Sequence, residues 1–316
     1  MLESRNGGNL LSIEELLDDY LEEIRAKRDL TESSMKRHRR CALQFMEFFG
    51  DCGAICLQRS VNVASVQAYV SGYAAAGHGH GANRNMFSTL RVLLAYLHQV
   101  GHLSGDLAPA VPSIQCRRLS HVPRGIGEQD IERLLGSIDR SEAMGQRDYA
   151  MILLLSTYGV RGVHVRRLKL ADICWGEDRI VFRPSKGGKR IIQHLTGAVG
   201  NSLLAYLREA RPHATQCEEV FLTCTSPPRP LRDPQNLSSA IRRRLKAADI
   251  ELPEGVSYGS HSFRHAFARR MVNHSEPFKH VADMLGHKIL NSTMIYTKID
   301  LPRLREATLE WPEVGS

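Results

Sequence analysis

The sequence predicts a mainly α-helical protein with a small β-hairpin, divided into two domains. At 316 residues the chain exceeds the usual size of one domain. Apolar residues recur at helical spacing through the first hundred residues, and one later region changes to short runs of β-forming residues. With 42% hydrophobic and 24% charged residues, the composition is that of a folded globular protein.

The N-terminal third predicts a small helical bundle. Ser12 followed by Glu15 is a capping box, in which each residue bonds the other's backbone N–H, and it opens the first helix. Apolar residues on one side and glycines at the ends predict three more helices, over Glu32–Phe49, Val63–Tyr73 and Asn83–Val100. This bundle is the predicted N-terminal domain, residues 1–107.

Residues 108–124 are predicted to link the domains. The segment carries Pro109, Pro112 and Pro123 and little periodicity, which is typical of a semi-rigid connection. The second domain is predicted over residues 125–316. It opens with two helices, Glu128–Ile138 and Asp148–Tyr158.

A change of period marks the predicted hairpin. The β-rich runs Arg179–Phe182 and Arg190–Ile192 flank Ser185–Lys189, which places Lys186 at the tip. Helical patterns resume after the hairpin. They predict helices over Val199–Arg211 and Leu237–Ala248, and a further helix for which Ser260 is the N-cap.

Charge points to a polyanion. The net charge is +8 and the pI is near 9.2. Basic clusters are dispersed along the chain at 36–40, 117–118, 166–167, 242–244 and 269–270, which suits a wide basic surface. The alternative for each single cluster is a solvated helix face.

No metal, cofactor or membrane is predicted. The seven cysteines are odd in number and form no CxxC pair, which disfavours a disulfide framework or a zinc site. The Gly77–Gly81 segment holds two histidines but no complete ligand set, and its glycines predict a turn. Without a run of about 20 apolar residues or an N-terminal signal, the chain is expected in the cytoplasm.

Several short fragments carry candidate chemistry. In Ser260–His265 an imidazole, His261, and a guanidinium, Arg264, lie three apart on one predicted helical face. Thr157–Arg161 precedes them, and Leu285-Gly286-His287 and Tyr296 follow. Each fragment alone is weak, because such pairs are common on surfaces and in cores.

Taken in order, the fragments resemble the phage-integrase or tyrosine-recombinase family over nearly the whole chain. Thr157–Arg161, with Leu168, Leu170 and Asp172-Ile173, resembles the first arginine box of that family, and Lys186 stands where its hairpin lysine belongs. His261–His265 resembles the HxLRH box and Leu285–His287 the LGH box. Tyr296 then matches the nucleophile.

The resemblance implies a site-specific DNA recombinase that needs no cofactor or metal. Tyr296 would attack a DNA phosphodiester and form a 3′-phosphotyrosyl intermediate, with Arg161 and Arg264 neutralising the phosphate. Lys186 would protonate the leaving 5′ oxygen, with Lys189 as the alternative acid. His261 would assist proton transfer, and His287 would bind the phosphate or orient the tyrosine.

The resemblance also implies partners and an architecture. It implies a C-shaped clamp of a SAM-like core-binding domain and a mixed α/β catalytic domain, acting on double-stranded DNA sites as a synaptic homotetramer, also with related recombinases. Its cellular setting would be the bacterial cytoplasm, on the nucleoid when bound to DNA. The residues expected to contact DNA are Lys36, Arg37, Arg39, Arg40, Arg84, Arg242 and Arg243.

One position departs from the family pattern. Members carry an acidic residue three positions after the first arginine, where this chain has His164. This departure favours, as an alternative, a DNA-binding accessory recombinase subunit whose catalysis is weak or depends on a partner. A type IB topoisomerase, which rejoins the same strand, is the other alternative.

Overall fold

The computed structural model describes residues 12–28, 30–50, 59–115, 125–184, 190–212, 216–253 and 255–286. The chain divides into two compact units, Met1–Arg117 and Arg118–Ser316. None of the helices in these ranges is long and apolar enough to span a membrane.

The described part of the first unit contains four helices. They are α1 (Ile13–Lys27), α2 (Glu32–Glu47), α3 (Val63–Ala75) and α4 (His80–Gln99). The predicted capping box at the start of α1 is confirmed, since Glu15 N–H donates to Ser12 Oγ at 3.2 Å and Ser12 N–H donates to Glu15 Oε2 at 2.8 Å. The helices enclose one apolar core, in which Leu17, Phe45 and Leu90 are fully buried.

A polar pair also lies in this core. Tyr20 is fully buried and its hydroxyl bonds His38 Nδ1 at 2.6 Å, which joins α1 to α2. Burial is the largest cause that lowers the pKa of His38 to about 4, and the charges of Arg37 and Arg28 add to it. His38 is therefore a neutral core residue at pH 7.

The start of the fourth helix differs from the prediction, and the ends of the last three helices shift by one or two residues. Helix α4 begins at His80, three residues early, with Gly79 as its N-cap, so only the first part of the glycine-histidine segment is a turn. The described part of the predicted linker is residues 108–115. Its start forms a 3-10 turn, Ala108–Ala110, and Val111 packs into the core of the first unit at 3% exposure.

The second unit has seven helices in its described part. They are α5 (Glu128–Ser137), α6 (Ala143–Tyr158), α7 (Gly162–Arg166), α8 (Gly197–Ala205), α9 (Pro234–Ala247), α10 (Ser260–Asn273) and α11 (Phe278–Leu285). A π-helical turn, Tyr206–Ala210, continues α8. Helix α6 starts five residues before the predicted Asp148, which is a buried, ion-paired residue inside the helix.

A three-stranded antiparallel sheet completes the second unit. Its strands β1 (Ile173–Cys174), β2 (Arg179–Phe182) and β3 (Ile191–His194) lie in the order β1-β2-β3. The pairing of β2 with β3 confirms the predicted hairpin strands, with Phe182 opposite Ile191. The sequence did not predict β1, since two residues are too short to show a period. The predicted tip, residues 185–189, lies outside the described residues.

Candidate active site

A left-handed turn places Arg161. Helix α6 ends at Gly159, which has φ +59° and donates its N–H to Leu155 O at 3.0 Å. A Cβ on Gly159 would lie 2.5 Å from the Phe267 ring, so both the backbone angle and the close packing require glycine. After the buried Val160 the chain reaches Arg161, which is the N-cap residue of α7.

The start of α10 lies against the start of α7. A Cβ on Gly162 would be 2.6 Å from Ser260 Oγ, so the two helix starts approach closely. The N-cap of α10 is Gly259 and Ser260 is its first residue, which corrects the predicted N-cap by one position. The next turn presents His261, which is exposed, and Arg264, which is buried.

Arg264 is fixed where three elements meet. Its guanidinium is 4% exposed and donates from Nη1 to Gly159 O at 2.9 Å and from Nη2 to Leu285 O at 2.8 Å. These bonds join α10 to the turn before Arg161 and to the end of α11. Both of these acceptors are backbone carbonyls, which carry no formal charge.

The predicted residues Arg161, His261 and Arg264 share one electrostatic environment. The pKa of His261 is lowered first by partial desolvation and then by the charges of Arg264 and Arg161, although the residue is exposed. His261 is therefore a neutral proton acceptor at pH 7. Two guanidiniums beside a neutral imidazole suit binding of a phosphate on which negative charge develops.

His164, three residues after Arg161 on α7, is a buried residue. It is 5% exposed, and its ring centroid lies 6.3 Å from that of Phe182 at an interplanar angle of 28°. Burial, then Arg161, then Arg264 lower its pKa to about 4. Its Nδ1 atom is buried and has no hydrogen-bond partner in the described part of the chain.

Three predicted catalytic residues, Lys186, His287 and Tyr296, lie outside the described residues. The structure describes what flanks them. Strand β2 ends at Phe182, and α11 ends at Leu285, followed by Gly286 at φ +62°, where a Cβ would meet Ile191 at 2.5 Å.

The predicted DNA-binding residues of the first unit are mostly exposed. Lys36, Arg39, Arg40 and Arg84 are exposed and Arg37 is half-buried. Arg39 lies 3.9 Å from the Asp18 carboxylate, a weak surface contact. The exposed side of α2 thus carries cations opposite its buried apolar side.

In the second unit the basic cluster on α9 divides into two kinds of residue. Arg242 is exposed, whereas Arg243 Nη2 and Arg244 Nε bond Asp148 Oδ2 at 2.7 and 2.9 Å. Asp148 is fully buried and also bonds Arg147 at 2.9 Å. Sequence reasoning missed this acid because an aspartate near a helix start is typical of a cap.

Other basic clusters also have structural roles. Arg166 is 8% exposed and donates from Nη1 to the carbonyls of Leu231 and Arg232. Arg270 donates from Nη2 to Ser156 O at 3.0 Å. Arg166 and Arg270 therefore each bond backbone carbonyls of the second unit. Within the described ranges, no group of three or more His, Cys, Asp or Glu side chains could hold a metal ion.

Sequence comparison gives a family and relatives. Residues 125–301 match the model of the phage integrase family. The putative integrase/recombinase y4rA of Sinorhizobium fredii is 35% identical over 305 residues, which cover 96% of this chain and 72% of that protein. The tyrosine recombinase XerD of Shewanella oneidensis is 27% identical over 299 residues, 92% of this chain and 94% of that one.

Solved structures share the fold. XerH site-specific recombinase bound to palindromic difH substrate has a TM-score of 0.71 at 20% identity, covering 94% of this chain and 84% of that chain. A lambda integrase (75-356) dimer bound to a COC′ core site has a TM-score of 0.66 at 17% identity, covering 96% and 100%. The matched family model spans more than half of the chain and includes the arginine and histidine positions described above. This chain belongs to the phage integrase family of tyrosine recombinases, enzymes that cleave and rejoin DNA in site-specific recombination.

Proposed function

We propose that Tyr296 is the nucleophile and that Arg161, Arg264 and His261 form the phosphate pocket it uses. The phenolate oxygen of Tyr296 attacks phosphorus, a 3′-phosphotyrosyl bond forms and the P–O5′ bond breaks. The 5′-hydroxyl of a partner strand then attacks the phosphorus of this phosphotyrosyl ester, and the P–O bond to Tyr296 breaks and releases the tyrosine. The phosphotyrosyl ester conserves the bond energy, so the cycle needs no cofactor or metal.

The shared environment of the two arginines and His261 carries this proposal. Negative charge grows on the non-bridging oxygens as the phosphorane forms, and forked guanidinium donors suit that geometry. A phenol with a pKa near 10 is a poor nucleophile at pH 7, and nearby positive charge favours the phenolate. Neutral His261 is suited to accept the phenolic proton or pass it on.

Lys186 and His287 complete the proposed site. Lys186 donates a proton to the departing 5′ oxygen, and His287 binds the phosphate or orients Tyr296. Lys189 is the alternative acid. The match of both positions to the family pattern supports these roles.

The proposed substrate is a double-stranded recombination site, held by two domains that act as a C-shaped clamp. Residues 1–107 form the core-binding domain, 108–124 the linker and 125–316 the catalytic domain. Exposed Lys36, Arg40, Arg84 and Arg242 support the DNA-facing role. The related lambda integrase structure of a tetramer bound to a Holliday junction supports a homotetramer as the synaptic form.

A nicked half-site assay tests the nucleophile. Such a substrate loses the short 5′ fragment after cleavage and traps the covalent adduct. The wild type is expected to form an adduct in EDTA, and Tyr296→Phe is expected to form none. Tyr149→Phe is the matched control, because Tyr149 packs beside Arg140 away from the proposed site. An adduct with Tyr296→Phe would overturn the assignment.

An accessory subunit whose catalysis depends on a partner recombinase is the alternative, and the buried His164 at the usual acidic position favours it. The same assay separates the two. Adduct formed by this protein alone supports the autonomous enzyme, and adduct that requires an added related recombinase supports the accessory role.

A further inference from the structure

A neutral acceptor lies beside an arginine that the described structure does not anchor. Arg264 is held by two carbonyls, whereas the Arg161 guanidinium has no hydrogen-bond or ion-pair partner within the described ranges. An unanchored arginine loses side-chain entropy when a phosphate fixes it. A second group that holds the Arg161 side chain would therefore reduce the entropy lost when the pocket binds phosphate.

The geometry of α7 places His164 to be that group. Arg161 is the N-cap residue and His164 is at N3, so both side chains lie on the first turn of the same helix. The His164 N–H donates to Arg161 O at 2.8 Å, which fixes the backbone between them. The charges of Arg161 and Arg264 both lower the pKa of the His164 imidazole, and the effect of Arg161 is the larger of the two.

The His164 ring is fixed by its surroundings, and its Nδ1 atom has no hydrogen-bond partner among the described residues. Burial to 5% exposure and the contact with Phe182 limit rotation of the ring. A buried nitrogen without a partner costs free energy, so its retention points to a partner in the working state. Neutral imidazole offers one acceptor nitrogen, and a guanidinium offers five donors, so one bond to Nδ1 leaves the others for phosphate.

We propose that His164 is a positioning residue that accepts a hydrogen bond from the Arg161 guanidinium at Nδ1 when DNA is bound. It does so as an uncharged group, so it orients Arg161 without neutralising it. The inference rests on the proposed role of Arg161 in phosphate binding. It assigns to a neutral side chain the work for which the family pattern has an acid.

Two variants separate the loss of the acceptor from the loss of ring volume. His164→Asn keeps a neutral acceptor bonded to Cγ, as Nδ1 is, and His164→Phe fills the volume beside Phe182 without one. At saturating half-site, His164→Asn is expected to form adduct at close to the wild-type rate. His164→Phe is expected to be slowed about 100-fold with unchanged DNA affinity, as for a misplaced reacting group. A wild-type rate for His164→Phe would overturn the proposal.

A second substrate shows whether the defect passes through Arg161. A methylphosphonate at the scissile position carries no negative charge, so its cleavage depends less on the arginines. The ratio of the wild-type rate of adduct formation to the His164→Phe rate is expected to be smaller on this substrate. An equal ratio of wild-type to His164→Phe rates on both substrates would show a general folding defect and overturn the inference. If His164→Phe does not fold, His164→Leu provides the same comparison.

Arg161→Ala is measured in parallel. If it forms adduct at the wild-type rate, the proposed phosphate pocket fails. If Arg161→Ala is inactive and His164→Phe is normal, only the role of His164 fails.

Discussion

Arg264 donates from Nη1 to the carbonyl of Gly159 at 2.9 Å, 105 residues away in sequence. This bond ties the helix with His261 to the turn that presents Arg161. Since Nη2 also bonds Leu285 O at 2.8 Å, one buried guanidinium sets the mutual placement of three segments of the site. Changes at this junction are therefore expected to affect geometry and chemistry together.

Gly159→Ala is expected to lower both stability and adduct formation. The left-handed φ costs about 1–2 kcal/mol for a residue with a Cβ, and the clash with Phe267 adds about 1–3 kcal/mol. Gly255→Ala is the matched control, because it has φ +80° and open space around the Cβ. Urea melts and the half-site assay measure both effects. Equal losses in the two variants would contradict the packing argument.

Asp148→Asn is expected to destabilise the second unit by about 3–5 kcal/mol, because it leaves Arg147, Arg243 and Arg244 without their buried counter-charge. Asp130→Asn is the control, since its contact with Arg133 is exposed and contributes about 0–1 kcal/mol. Denaturant unfolding gives both values. Similar costs for the two variants would show that the buried network is not a major source of stability.

The salt dependence of DNA binding is expected to distinguish basic side chains that contact phosphates from those that are ion-paired within the protein. Neutralising Lys36, Arg40 or Arg242 should each reduce the slope of log K against log salt by about 0.9, the value for one phosphate contact. Arg243→Gln should change the slope less, because Arg243 is bound to Asp148. Fluorescence anisotropy from low to moderate salt measures the slopes. A decrease of a full unit in the slope with Arg243→Gln would show that Arg243 contacts a phosphate.

Sulfur in place of the bridging 5′ oxygen is expected to restore cleavage by Lys186→Ala. A thiolate leaves without protonation, so the need for a general acid disappears. Lys189→Ala should cleave both the ordinary and the sulfur-substituted substrate at near the wild-type rate. If Lys189→Ala is the variant that sulfur restores, Lys189 is the acid.

Acid is expected to destabilise the first unit through His38. The pKa of His38 is about 4 in the folded protein and about 6.5 in an unfolded chain, so the unfolded state binds more protons between these values. Stability therefore falls as pH drops through this window, by up to about 1.4 kcal/mol per pH unit. His38→Gln should flatten that slope in thermal melts, whatever its stability at pH 7. An unchanged slope would assign the acid sensitivity to other groups.

The sequence by itself determined the parts of the molecule that depend on local pattern. Amphipathic spacing predicted most of the helices, the Ser12–Glu15 box marked the start of the first, and β-rich runs marked β2 and β3. The order of the arginine, histidine and tyrosine fragments predicted the family, which the comparison confirmed.

Only the tertiary structure decided which charged residues are free. Arg166 looks like a surface cation in sequence but is buried against distant carbonyls, and the exposed side chain of Arg243 bonds a buried carboxylate. The same holds for His164, which departs from the family pattern in sequence and is buried in the fold, with no bond to its Nδ1 atom from the described residues. Burial and partners across a hundred residues depend on packing, and periodicity along the chain does not encode them.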